Sequence, residues 1–490
     1  MRNIFGLVFI VFSIQMHAQI AADALRYSFL EVGGTARTVG IGGGIGALGA
    51  DYSVLSTNPA GLAAFRTNEF VFTPSVFNSK TTSLLENGSG NSANIETSTS
   101  FNMNNIGMIL NNRPRGRKWT TFNFGIGFNR LATFNQEYKF EGNSSGSLVD
   151  RYTELANDGL FDEFEVIPAE SAGAIIFNET TESYENDFSF VQNYEGQKEQ
   201  LVKTKGSYSE LVFAFGGNYD EKLMIGATIG VPFLSFEEEK IYEESDEADE
   251  VPLFNDLEFQ ENLTTSGVGI NLKIGVIYRI NQMFRLGAAF HTPTAMSLTD
   301  NFSTQLTYDY TLMSGERFND PVNSPEGTFE YKLRTPWRAI GSAAVLINRK
   351  GFISADVEYV DYSKSKFNLT SDSDNIEDQD YEIDLNNSIS DDYQSAINIR
   401  VGGEYALDVY RFRAGYSISG TPYADSNITN NAYSLGVGYR KRTFYIDLAY
   451  KKSQIEEEYV PYLLANPTQE QSVNNKVNNS QFLLTAGFKF

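Results

Sequence analysis

Side-chain catalysis most often recruits histidine or cysteine, and this sequence holds almost none of either. It has no Cys and two His, His17 and His291. Thiol nucleophiles, disulfides, Cys-ligated metals and lipid anchoring through an N-terminal Cys are excluded. His17 falls in a segment read below as removed. His291 then stands alone in Phe290-His291-Thr292-Pro293-Thr294. A triad needs a nucleophile and an orienting group beside it. No such partners can be assigned, so His291 reads as a structural hydrogen-bonding residue and the chain as no enzyme. Gly44-Ile45-Gly46-Ala47-Leu48-Gly49 fits GxGxxG, with Glu69 downstream. A dinucleotide site also needs a βαβ unit, and no such alternation follows, so these glycines read as close packing. The stretch from Ser371 to Asp380 carries enough carboxylates for Ca²⁺ but lacks the central Gly of an EF-hand loop. It reads as a solvated loop. No cofactor and no metal are expected. The formal charge of −24 also argues against nucleic acid as a partner, because phosphates would be repelled.

The elements around these residues are strands. Residues 1–18 form a secretory signal: Arg2, an apolar run from Ile4 to Ile14, and Ala18 before a cleavage point at Gln19. That run is too short to span a bilayer as a helix. From residue 69 onward, segments of about ten residues alternate large apolar with small or polar side chains, the period that sends neighbours to opposite faces of a strand. Tyr433, Leu435, Val437 and Tyr439 alternate with Ser434, Gly436 and Gly438; Ile397, Ile399 and Val401 alternate with Asn398, Arg400 and Gly402. Fourteen such segments run from 69–78 to 480–490, among them 283–299 and 328–347 as single strands. Long connections (79–99, 135–206, 237–262, 300–327, 363–392, 419–430, 453–479) alternate without exception with short ones (111–118, 219–222, 281–282, 348–350, 407–408, 441–442). A transmembrane barrel has this asymmetry and an even strand number; a soluble sandwich has neither requirement. The short turns are basic, with Arg113, Arg115, Arg117, Lys118, Arg349, Lys350, Arg440, Lys441 and Arg442. The long loops are acidic, with Glu237 to Glu239, Glu243 to Glu250 and Asp372 to Asp380. The apolar spacing of Leu148, Tyr152, Leu155, Leu160 and Phe164 suits a short helix over the barrel mouth. The expected fold is all-β: a 14-stranded antiparallel transmembrane barrel over 69–490, with 19–68 as a hatch in its lumen.

Alternation also places Asp356, Glu358, Arg400, Glu404, Arg413, Asp447 and Lys489 on the inner face. Buried charges need partners, so these residues are expected to form an ion-pair network that grips the hatch. Pro293 and Pro336 each remove a ladder donor and mark kinks, gaps or strand ends.

Three features carry a family resemblance: the Gly/Ala run ending in Ala50-Asp51, the motif Asn58-Pro59-Ala60-Gly61-Leu62-Ala63, and the terminal Phe490. Together they resemble the FadL family of outer-membrane transporters for long-chain fatty acids and other hydrophobic compounds. The resemblance implies an outer-membrane barrel in a Gram-negative cell. It also implies passive uptake of a hydrophobic small molecule or fatty acid, and a hatch gated at Asn58, Pro59, Ala60 and Gly61. Outer-membrane lipid surrounds such a barrel. The rival expectation is a subunit of a large outer-membrane secretion or assembly complex, type IX secretion among them, with other outer-membrane proteins as partners.

Overall fold

The computed structural model describes residues 21–86, 88, 91–115, 118–191, 194–348, 350–369, 376–426 and 428–490. The signal segment, Arg117, Arg349 and Asp372 to Asp374 lie outside the described residues. Seventeen strand segments matter here: β1 Glu69–Leu85, β2 Asn94–Asn112, β3 Trp119–Thr133, β4 Gln136–Ser145, β5 Glu195–Tyr219, β6 Leu223–Ser245, β7 Phe254–Arg279, β8 Phe284–His291, β9 Ala295–Thr311, β10 Gly327–Arg334, β11 Arg338–Ile347, β12 Gly351–Asp361, β13 Ser395–Leu407, β14 Tyr410–Ser419, β15 Asn430–Arg440, β16 Phe444–Tyr459 and β17 Val473–Lys489. They build a closed antiparallel barrel of 14 strands, in which β8 with β9, and β10 with β11, each count as one interrupted strand and β4 continues β3. Closure comes from β1 against β17, Glu69 opposite Lys489. It joins the first strand to the last, so the sheet has no free edge strand.

The alternation sorts as its chemistry demands. Leu435 is 63% exposed to the membrane face while its neighbour Ser434 is 4% exposed, turned to the lumen. The strands run further than the hydrophobic pattern suggests. β6 reaches Ser245 and β7 begins at Phe254, so Glu237 to Glu239 and Glu243 lie on a strand and not in a loop. Antiparallel pairing continues above the bilayer because backbone hydrogen bonding does not depend on the side chains being apolar.

Pro293 and Pro336 interrupt two neighbouring strands at one level. β8 pairs β11 up to His291 opposite Arg338, and β9 pairs β10 from Ala295 opposite Arg334. The break is bridged: Thr335 N–H donates to Thr294 O at 3.0 Å, and Thr294 N–H to Thr335 Oγ1 at 3.0 Å. The prolines therefore kink the wall without opening it. A seam lies elsewhere. Pairing of β2 with β3 ends at Asn105 opposite Asn129, although β2 continues up to Asn94. Past that point β3 slips register against β5 at Arg130/Ala132 and leads into β4, where Phe140 packs with Leu85 in a buried cluster above the lumen.

That cluster is the core of an outer cap. Helix α3, Leu148–Asn157, starts on a capping box between Ser147 and Asp150 and buries Leu148, Tyr152 and Ala156. Helix α4 spans Val166–Ser171. Phe188, Phe254, Tyr308 and Tyr462 complete the apolar contacts. A second cluster joins α1, Ala21–Ser28, to Phe236, Tyr331, Tyr362 and to α5, Ile376–Asp392. The N-terminal segment thus enters at the outer end of the lumen, runs down past α2, Ala36–Gly40, and meets the wall again near the short turns in a 3₁₀ turn, Pro59–Ala64.

Candidate functional site

The hatch is held from within by Asp51. Its carboxylate accepts bonds from Thr35 Oγ1 (2.9 Å), Thr38 Oγ1 (3.0 Å) and Ser53 N–H (3.0 Å), and it is buried. Three donors from two turns around one carboxylate explain a fixed fold for a glycine-rich stretch that has little side-chain core of its own. The glycines serve backbone-to-backbone contact. A Cβ on Gly415 would lie 2.1 Å from Gly42 N, and one on Gly402 would lie 2.1 Å from Ile41 O. A Cβ on Gly287 of β8 would lie 2.5 Å from Gly46 O of the GxGxxG stretch, so the pattern is close packing.

Asn58 is the hinge of the lower bend and is 1% exposed. Its Nδ2 donates to Gly46 O at 2.7 Å and to Val276 O of β7 at 3.3 Å, while its Oδ1 accepts Ala60 N–H at 3.2 Å. One side chain therefore ties two parts of the hatch to each other and to the wall. Pro59 and Ala60 lie against Gly226, where a Cβ would sit 2.3 Å from Pro59 O. Gly61 O accepts Ala50 N–H at 3.1 Å, and a Cβ on Gly61 would sit 3.0 Å from Gly49 Cα.

The inward charges divide into two groups. In one, Glu358 pairs with Arg400 (3.1 Å) and Arg338 (3.0 Å), and Asn398 Nδ2 adds a bond at 2.9 Å. Arg338 also donates to Ser28 O of the hatch. In the other, Arg413 bridges Glu404 (2.7 Å) and Asp447 (2.8 Å), Arg440 joins Asp447 at 2.9 Å, and Arg37 of the hatch reaches Glu404 at 3.4 Å. Asp356 stands apart and accepts Gly46 N–H at 2.9 Å. Lys489 lies 3.9 Å from Glu69 at the barrel's closing seam. Six of the seven expected network residues are buried or nearly so, Lys489 being the half-exposed exception, and each group touches the hatch.

Other residues at the site had no clear sequence signal. Glu210 pairs with Lys273 on the inner wall, and Ser56 Oγ of the hatch donates to Glu210 at 3.1 Å. Alternation does put Glu210 inside, but its inward neighbours Tyr208, Val212 and Ala214 disguise a polar spot. His291 donates from Nε2 to Thr57 O at 2.7 Å, the structural role its isolation suggested.

The family model described as outer membrane protein transport protein (OMPP1/FadL/TodX) matches residues 240–490, just over half of the chain. The chain belongs to this FadL/TodX family. No curated protein matches it in sequence. Its fold is that of the toluene transporter TodX of Pseudomonas putida, at 13% identity and TM-score 0.54, covering 94% of this chain and 99% of that one. A FadL homologue of Pseudomonas aeruginosa is similar at 11% identity and TM-score 0.53, covering 94% and 100%. As a FadL/TodX protein the chain is an integral outer-membrane channel of a Gram-negative cell for hydrophobic compounds, and not an enzyme.

Proposed function

We propose that this channel takes up long-chain fatty acids or similar carboxylated amphiphiles, that the hatch gates the passage at Asn58 to Gly61, and that the seam between β2 and β3 is the exit. The seam carries the reading. Hatch segment 31–34 lies behind it: Glu31 N–H donates to Leu131 O at 3.0 Å, and Asn104 Nδ2 to Gly34 O at 3.0 Å. Movement of this segment joins the lumen to the bilayer. An apolar chain gains by leaving water for lipid at that point, so no energy source is required. The lumen crevice above the hatch is lined by Phe29, Leu30, Asn398, Arg400, Ser417 and Lys451. Arg400 there is held by Glu358 and Lys451 by the hatch residue Glu31 at 2.6 Å, so a carboxylate head group would enter by replacing Glu31 on Lys451. Toluene, named as the cargo of the similar TodX, has no group for that exchange. The test is uptake of labelled oleate and labelled toluene by cells carrying wild type, Asn104→Ala, or no protein. Faster oleate uptake by Asn104→Ala than by wild type supports the seam as exit. If all three strains match for both compounds, transport fails.

The outer surface favours a second reading, a subunit of a larger outer-membrane assembly. Phe161 and Phe177 meet the Tyr184 ring at tilted and edge-on angles, with centroids 5.3 and 5.2 Å away, and both Phe rings are exposed. No Lys or Arg occurs from Tyr152 to Gln197, while Asp162, Glu163, Glu179 and Glu182 do. An aromatic patch ringed by acids suits a partner surface with basic and apolar residues. A stable complex on purification from native membranes supports this reading.

A further inference from the structure

Two short turns at the inner rim of the barrel carry clustered, exposed cations. Arg113, Arg115 and Lys118 stand exposed on the β2–β3 turn, and Lys441 and Arg442 on the β15–β16 turn. No carboxylate comes within ion-pair distance of these five among the described residues. On the neighbouring β5–β6 turn Asp220 N–H donates to Lys118 O at 2.7 Å without an ion pair to the Lys118 ammonium, and Glu221 is already engaged by Arg66 and Arg279. Each cluster sits directly over aromatic rings of the wall. Lys118 lies 5.9 Å over Tyr219, which meets Trp119 at 5.2 Å; Trp119 stacks on Phe122 at 4.9 Å. Lys441 lies 5.7 Å over Tyr439, flanked by Tyr410 at 5.8 Å and Phe444 at 6.1 Å. Below them the exposed side chains are apolar: Phe122 and Leu110 at the first, Val437 and Phe412 at the second.

A merely solvated turn accounts for polar residues there. It does not account for two clusters of cations, without ion-pair partners, in register with an aromatic girdle. In a transmembrane barrel that girdle marks the head-group level. Cations one step beyond it sit at the depth of lipid phosphates, where each Lys or Arg near an anionic surface is worth about a fivefold change in binding. We propose that the two clusters are binding sites for anionic glycerophospholipids of the inner leaflet. The phosphate meets the Arg and Lys groups, the glycerol lies on the Trp119 and Tyr439 rings, and the acyl chains run down the apolar wall. Free inorganic phosphate shares the head-group chemistry but has nothing to place on the rings and the wall, so the site is assigned to lipid.

The test uses the full chain purified in neutral detergent, offered equimolar phosphatidylglycerol and phosphatidylcholine, with retained lipids read by native mass spectrometry. Wild type should retain phosphatidylglycerol in preference. Arg113→Gln with Arg115→Gln and Lys118→Gln, and separately Lys441→Gln with Arg442→Gln, should each lower that preference by at least about fivefold. Lys205→Gln, an exposed cation on the outer part of β5, should leave it unchanged. A second readout is independent of detergent retention. The chain has two Trp, so in a Trp337→Phe background bromine-labelled phosphatidylglycerol should quench Trp119 more than labelled phosphatidylcholine does. Heat-resistant migration of each variant checks that the barrel is folded. Equal retention and equal quenching of the two lipids overturn the proposal. So does displacement of the lipid by millimolar inorganic phosphate, or a preference for a polyglutamate peptide over phosphatidylglycerol, which would assign the rim to an acidic protein.

Discussion

If Asn58 is the tie between hatch and wall, it can be broken from the wall side without touching the hatch. Gly275 of β7 faces inward, and a Cβ there would lie 1.9 Å from Asn58 Oδ1, 3.0 Å from its Cγ and 3.1 Å from Pro59 Cδ. Gly275→Ala therefore forces the amide to turn away. The turn gives up the bonds to Gly46 O and Val276 O and leaves Ala60 N–H without its cap. Stranding a buried donor or acceptor costs ~1–3 kcal/mol each, and loss of an N-cap costs ~1 kcal/mol. Together these weaken the closed hatch by about 2–4 kcal/mol, or ~30- to 1000-fold in its local opening equilibrium at ~1.4 kcal/mol per decade. The assay is hydrogen exchange over residues 44–64, with exchange of β15 to β17 as the internal reference. The hatch amides should exchange faster by that factor while the reference strands stay unchanged. Asn58→Ala should give a similar gain, and the double substitution little more than either alone, because both remove the same bonds. Additive effects, or unchanged hatch exchange in Gly275→Ala, would refute the reasoning.

Three further outcomes follow from the same geometry. Arg413 is fully buried between Glu404 and Asp447, so Arg413→Leu leaves Asp447 to Arg440 alone and Glu404 to the more distant Arg37 and Arg411, costs less than the about 3–5 kcal/mol of an isolated buried pair, and should still lower the temperature at which the barrel loses its folded electrophoretic migration; an unchanged temperature would mean the network contributes little. Epitope tags placed in 363–392 and in 453–479 should be labelled on intact cells, because both connections lie on the long-loop side; labelling only after the outer membrane is opened would invert the topology. Deleting Phe490, whose N–H donates to Asn68 O at 3.2 Å and whose ring is exposed on the lipid side, should reduce the yield of inserted barrel more than a one-residue deletion within 363–392; equal yields would count against a terminal assembly signal.

The barrel was legible because two independent periodicities agree. Side chains alternate with period two within strands, and connections alternate long and short between them. A slip of one residue would turn Leu435 into the lumen and Ser434 into lipid, so the sequence fixes which residues face where even at positions such as Glu210 that look out of place. Strand ends were less legible. Above the bilayer there is no lipid to demand apolar side chains, so Glu237 and Glu239 of β6 extend a ladder that hydrophobicity cannot reveal. The seam was not legible at all. The prolines drew attention to β8–β11, yet threonine hydroxyl and amide groups close that break. At β2–β3 the wall parts without a proline, at a run of asparagines, Asn102, Asn104 and Asn105, which reads as ordinary polar strand.

The contrast has a physical source that bears on how such a channel could open. A missing donor in a strand is a local fault, and neighbouring side chains can repair it, as Thr335 does for Thr294. A parting of two strands is a long-range fault, set by where β4 and the hatch pack. At the seam Asn105 is buried with both side-chain polar atoms lacking a partner, and Asn129 Oδ1 lacks one as well. Unmet polar groups of this kind cost stability, and their cost falls if the seam admits water or a polar head group. The closed wall is therefore strained where the hatch covers it and satisfied at the paired prolines. Opening is favoured at β2–β3, and a substitution that relieves the asparagines, such as Asn105→Thr, should hold the seam shut and slow uptake while raising barrel stability.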